Sequence, residues 1–263
     1  MKEGSTPHMW CPGCGNGIVL AALLRAFEEM GLRNEETVVV TGIGCWGKAD
    51  DYVTTNALHG THGRALAFAT GMKAFNPRLN VVALMGDGDC ITIGGNHFIH
   101  AARRNIDVTA LVVNNFNFGM TGGQVSGTTP AGMLTSTTTF SNPERDIDIC
   151  ALADVAGANY VARGTPYDGF DLQAIIKEAL AKKGFSVVEV LSPCPTHFGK
   201  HNRMGTAVET LRWIRERALP RAEYERLDPA GRSGYFPVGR LVDRSAPDFN
   251  ARYEEVRKRA VEG

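Results

Sequence analysis

A doubly wound, mostly parallel α/β sheet is the fold class that this sequence predicts. Two observations carry that expectation. Short apolar runs alternate along the chain with stretches of helical spacing, which reads as successive βαβ units. The runs are continuous rather than alternating in polarity, so both faces of the sheet are covered.

The elements follow in order. Asn16 is placed to cap a helix running to about Met30, with Gly31 as its stop. "TVVVTGI" (37–43) reads as a buried strand ending in glycine. "THGRALAFATGMKAF" (61–75) reads as a helix stopped by Asn76-Pro77. "NVVALMG" (80–86) is a second strand, 94–104 a short helix and "DVTALVVNN" (107–115) a third strand. A helix near 145–156, a strand near 159–163, a helix over 168–183 and the strand "FSVVEVL" (185–191) complete the pattern. Residues 116–142 are a long stretch rich in Gly, Ser and Thr, and a loop of that length inside a compact domain is functional or disordered. No internal repeat and no linker stands out, so residues 1–227 read as one domain. Residues 228–263 read as a Pro/Gly/Arg-rich C-terminal extension with one polar helix near 250–261, expected to contact another subunit.

Composition narrows the function classes. Of 263 residues, 43% are hydrophobic and 21% charged, and the formal net charge is zero, so neither a nucleic-acid nor a membrane partner is indicated. No apolar run approaches the roughly 18 residues of a membrane span. The opening "MKEGSTPHMW" has no apolar signal core, which predicts a cytoplasmic protein. In that compartment six cysteines read as metal or redox ligands before disulfides.

The second strand ends in "GDGD" (86–89) and the third in Asn114-Asn115. Ligands of open α/β sheets sit beyond the carboxyl ends of the strands. Asp87 offers a carboxylate there and Asn115 an amide oxygen, both hard ligands suited to a Mg²⁺ that also holds phosphate oxygens. Gly86 and Gly88 let the backbone come close to a diphosphate.

Cys11 and Cys14 form a C-x-x-C, Cys45 follows the first strand, and Cys194 stands between two prolines after the strand 185–191. A C-x-x-C alone is a redox pair, half a metal site or an accident. Four thiolates suit Zn²⁺ or an iron–sulfur cluster, although zinc sites usually bring two close pairs and here one pair meets two distant singles. Cys90 and Cys150 sit in apolar surroundings and read as small buried hydrophobes.

The G-D-G, the 25 residues between Gly88 and Asn114 and the N-N resemble the thiamine-diphosphate signature. In that family the aspartate, the second asparagine and a carbonyl two residues later hold the metal, which implies Asp87, Asn115 and the carbonyl of Asn117 on Mg²⁺. With W-C-P-G-C-G, G-I-G-C, H-G-R-A-L-A-F-A-T-G, N-N-F-N-F-G-M-T-G-G-Q and S-P-C-P-T, the chain resembles the β subunit of a 2-oxoacid:ferredoxin oxidoreductase over about residues 8–204. "PHMWCPGCGNGIVL" and "LSPCPTHFGKHN" are most similar to the 2-oxoglutarate branch.

The resemblance implies a thiamine-diphosphate-binding fold, with Cys11, Cys14, Cys45 and Cys194 on one [4Fe-4S] cluster. It implies that Ile43, Gly44, Cys45, Trp46, His62, Gly88, Asp89, Gly119 and Met120 line the cofactor. Trp46 departs from the small residue many relatives carry, which leaves open whether it shapes the pocket or packs. The implied reaction is coenzyme-A-dependent oxidative decarboxylation of 2-oxoglutarate to succinyl-CoA and CO₂, run in either direction, with electrons passing through the cluster to ferredoxin. The activating glutamate is implied on a partner α subunit, so the chain is expected to work as a heterodimer or a dimer of heterodimers and to be inactive alone. His62 is the one candidate catalytic residue here, against a plain capping role. His59 and Lys48 are weaker candidates for the site. The basic stretch from Lys200 to Arg221 reads as a solvated face before it reads as a docking surface. Three rivals stand beside this reading: a pyruvate or branched-chain 2-oxoacid enzyme, a non-oxidative thiamine decarboxylase or carboligase with structural zinc, and a non-enzymatic electron-transfer subunit.

Overall fold

The computed structural model describes residues 1–262. Its strands are β1 (Thr37–Thr41), β2 (Asn56–His59), β3 (Asn80–Gly86), β4 (Thr109–Asn114), β5 (Tyr160–Gly164), β6 (Ser186–Leu191), β7 (Ala218–Pro220) and β8 (Phe236–Asp243). They form one sheet in the order β2-β1-β3-β4-β6-β5-β8-β7. The first six in that order are parallel, β8 runs antiparallel to β5, and β7 is parallel to β8. The doubly wound α/β expectation is met.

Side chains of β1, β3, β4 and β6 alternate between two cores, as period-2 geometry requires. Val38, Val40, Ala83, Met85, Val112 and Val187 pack under α2 (Ala65–Phe75), α3 (Gly95–Arg104) and α4 (Ile149–Val155). Val39, Val82, Leu84, Leu111, Val113 and Val188 pack under α1 (Asn16–Glu29) and α5 (Gly169–Ala181). A smaller cluster of Phe116, Leu191, Phe198 and Ile214 involves α6 (Ala207–Arg215). α7 (Arg221–Arg226) and α8 (Phe249–Glu262) follow.

Some boundaries differ from expectation for physical reasons. The cap of α1 is Gly15, at φ 81°, and Asn16 is its first, buried residue. A Cβ on Gly15 would lie 2.3 Å from Ser192 Oγ and 2.7 Å from Pro166, so close packing as well as the left-handed backbone demands glycine there. α2 starts at Ala65 because residues 61–64 form a turn, with Gly63 at φ 73°, instead of winding. The C-terminal extension enters the sheet through β8, and α8 is tied down at its start, where the Phe249 amide donates to Asn105 O at 3.0 Å.

Candidate active site at the carboxyl edge

β1, β3, β4 and β6 are consecutive parallel neighbours, so their carboxyl ends share one edge. The segments that leave them carry Cys45, Asp87, Asn115 and Cys194 respectively. α1 starts at the same edge, where the Ser192 hydroxyl donates to Cys14 O at 2.5 Å. Trp10 completes the tie, its indole N–H donating to Cys45 O at 2.6 Å. The sequence reading missed Trp10 and Ser192, although both flank the cysteine motifs directly.

One cleft of about 70 Å³ is bordered by Ile43, Gly44, Cys45 and Trp46 after β1, by His62, and by Asp87, Gly88 and Asp89 after β3. Asn115, Asn117, Gly119 and Met120 close it from the loop after β4. A second cavity of about 260 Å³ is bordered by Cys11, Cys14, Cys45 and Cys194. The two share Cys45, Asn115, Gly119 and Met120, so they are adjoining rooms with a common wall.

Asp87 is 1% exposed. Its Oδ2 accepts from the hydroxyls of Ser126 and Thr128, each at 2.6 Å, and its Oδ1 accepts from the Asn115 amide at 3.2 Å. Burial pushes its carboxyl above the ordinary range, against these hydrogen bonds. A Mg²⁺ held by Asp87 would favour the charged form. Both side-chain polar atoms of Asn117 are buried without a partner, as is Asp89 Oδ2. Orphaned buried donors and acceptors of this kind call for a ligand, so the residues present fit a metal–diphosphate group. Gly88 borders the cleft, and a Cβ there would also lie 2.4 Å from the Phe118 ring, so the packing of that ring demands glycine as well.

Asp89 Oδ1 gathers three donors: the Gly63 amide at 2.7 Å, the Ile43 amide at 3.2 Å and His62 Nδ1 at 2.5 Å. A carboxylate only accepts, so His62 presents Nδ1–H to it and leaves Nε2 free as the other ring nitrogen. Trp46 packs: its indole is in the core, donating to Leu111 O at 3.2 Å. Lys48 pairs with Asp51 at 2.7 Å, and His59 lies against Thr41 and Asp50 rather than at the cleft.

The four thiols are unpaired, with Cys11 the exposed one. Burial, with the neighbouring Cys194, Cys14 and Cys11, pushes the Cys45 thiol up to about 11. Burial also raises Cys14 and Cys194, the latter against backbone amides of His197, Phe198 and Thr196. A bound cation would favour their thiolate forms. Among the described residues the set of three metal-type side chains with ligand atoms within 4.8 Å of one another is Asp148, Cys150 and Glu189, so no three of these four sulfurs are that close. A single tetrahedral zinc ion needs sulfurs about 4 Å apart, a spacing that no three of these sulfurs have; four thiolates are also the donor set of an iron–sulfur cluster.

Fold and site together define the class: a doubly wound α/β domain with its candidate cofactor cleft at the carboxyl ends of its strands. The profile of the family "Thiamine pyrophosphate enzyme, C-terminal TPP binding domain" matches residues 37–190. The chain is 43% identical over 249 residues to 2-oxoglutarate synthase subunit KorB of Methanothermobacter marburgensis, covering 95% of this chain and 87% of that protein. It is 56% identical over 197 residues to the KorB subunit of Archaeoglobus fulgidus, covering 75% and 73%. The structure of 2-oxoglutarate:ferredoxin oxidoreductase from Magnetococcus marinus, with 2-oxoglutarate, coenzyme A and succinyl-CoA bound, superposes with a TM-score of 0.87 at 32% identity over 97% of this chain and 88% of that one. The chain belongs to the thiamine pyrophosphate enzymes and, among them, to the β subunits of the 2-oxoacid:ferredoxin oxidoreductases.

Proposed function

We propose that this chain is the β subunit of a 2-oxoglutarate:ferredoxin oxidoreductase, working with an α subunit that completes the site. In the reaction, 2-oxoglutarate, coenzyme A and two oxidised ferredoxins give succinyl-CoA, CO₂, two reduced ferredoxins and a proton. The observation that carries the reading is the common wall between the two cavities: Cys45 and Gly119 face both, so a diphosphate cofactor and a one-electron carrier would be neighbours. The KorB relatives and the 2-oxoglutarate-bound neighbour support the substrate.

Thiamine diphosphate supplies the electron sink that makes loss of CO₂ from a 2-oxoacid possible. The chain's residues do the rest. Asp87, Asn115 and the Asn117 carbonyl would hold Mg²⁺ and through it the diphosphate. Ile43, Gly44, Trp46, Gly88, Gly119 and Met120 would border the cofactor, with Cys45 at the shared wall. Asp89 fixes the His62 ring, so that Nε2 accepts or returns a proton in the cleft. His62→Gln should lower kcat with cofactor affinity nearly unchanged; a loss confined to cofactor affinity would make His62 a binding residue instead. Cys11, Cys14, Cys45 and Cys194 would hold a [4Fe-4S] cluster that passes electrons singly to ferredoxin.

Metal analysis of the co-purified complex tests the whole. A brown colour bleached by dithionite and about four iron atoms for this site are expected; one zinc and no iron would remove the electron-transfer step. Assays with ferredoxin or a viologen dye should favour 2-oxoglutarate over pyruvate and branched 2-oxoacids.

A further inference from the structure

Beside the site lies a buried charged network that the reaction does not consume. Glu189 sits in β6 and Arg163 in β5, each 2% exposed, paired across the strands in register. Arg163 Nε donates to Glu189 Oε2 at 2.6 Å, and its Nη2 donates to Asp148 Oδ1 at 2.5 Å. The Cys150 thiol donates to the same Glu189 Oε2 at 3.3 Å. Asp148, Cys150 and Glu189 have the spacing of a metal site, but the guanidinium already bonds both carboxylates, so no metal is called for. Two buried charges among apolar strands are costly unless paired, and a hydrophobic pair of similar volume would often serve stability as well. The network therefore needs another reason.

That reason is on the other oxygen. Glu189 Oε1 accepts from Asn114 Nδ2 at 2.8 Å, and Asn114 Oδ1 accepts from the Phe116 amide at 3.1 Å. Phe116 has φ 65°, in the left-handed region that a bulky residue avoids. The Phe116 turn joins Asn115 to Asn117. We infer that Glu189 is a positioning residue for this turn: being an acceptor only, it dictates which way the Asn114 amide faces. With its NH₂ committed to Glu189, Asn114 has its oxygen left for the Phe116 N–H. Reversed, the amide would set donor against donor and release the turn that carries both Asn115 and Asn117. Arg163, donating to the other oxygen of the same carboxylate, complements its charge and leaves Oε1 turned toward Asn114. This inference rests on the proposed function for its consequence in cofactor binding, but the geometry stands alone.

The test inverts the hydrogen-bond polarity in the complex with its partner subunit. Glu189→Gln offers an NH₂ to Asn114 and allows the reversal. Hydrogen exchange at the Phe116 amide, without cofactor, should quicken, and affinity for thiamine diphosphate with Mg²⁺ should fall about ten- to a hundredfold. Adding Asn114→Asp to that variant restores an acceptor for Phe116, with the substituted amide on β6 now donating, and should recover both protection and affinity. Unchanged Phe116 exchange in Glu189→Gln, or losses that simply add in the double variant, would overturn the inference. Should the single variant fail to fold, the double variant, in which every donor has an acceptor, decides alone: slow Phe116 exchange supports the inference and fast exchange overturns it. If the wild-type complex binds no thiamine diphosphate, the proposed function fails while the exchange data still judge Glu189.

Discussion

Asp87 shows how much work surrounds one ligand. Its carboxylate is held by two hydroxyls, Ser126 and Thr128, from a loop that follows the next strand. Asp87→Ala is expected to weaken binding of thiamine diphosphate with Mg²⁺ at least about tenfold, measured by calorimetry on the complex; unchanged affinity would remove Asp87 from the metal. The same change leaves two buried hydroxyls without their acceptor, at a cost of about 1 kcal/mol each. Asp87, Asn115 and the cysteines were legible in the sequence because motif and strand end coincide. Ser126 and Thr128 were not, because a Gly/Ser/Thr-rich loop has no periodicity to say which hydroxyl turns inward. Glu189 was hidden for another reason: inside "FSVVEVL" it breaks an apolar run, but its partners Asn114 and Arg163 lie far away in sequence.

Among the elements, the strands easiest to read are those buried on both faces. β2 was missed because it is an edge strand of largely exposed residues, and β8 because Pro237 and Gly239 interrupt it. Elements are also pinned by charge. Lys73 on α2 reaches Asp107, just before β4, at 2.7 Å, and Lys183 joins from the α5–β6 connection at 3.2 Å. Burial alone would raise the Asp107 carboxyl, but the Lys73 bond and the two positive charges hold it below the ordinary value. A carboxylate depressed on folding stabilises the native chain above its unfolded value of about 3.9. That contribution fades as pH falls through the lower folded value. Asp107→Asn should therefore cost about 3 kcal/mol at pH 7 and progressively less as pH falls below the ordinary carboxylate value of about 3.9, as urea titrations at neutral pH and well below that value would show. An equal loss at both would mean that packing, not charge, makes the contribution.

For the whole molecule, the extension after residue 227 decides what meets solvent. β8 covers the edge of β5, so a chain ending at Leu227 should expose that edge and aggregate; a soluble, monodisperse truncated complex would refute this. α8 buries none of its residues and leaves Tyr253, Val256 and Val261 exposed. Cys194→Ala should abolish the visible absorbance of the complex yet spare thiamine diphosphate binding, because what ties this segment to the cofactor turn is main chain. The Ser192 and Cys194 amides donate to the carbonyls of Asn114 and Asn115 at 2.8 and 3.1 Å. Those two peptide bridges fix the segment that carries Cys194 against the turn that carries Asn115. A seam so fixed would hold a bound cofactor and a bound cluster at a constant separation, which single-electron transfer between them would need.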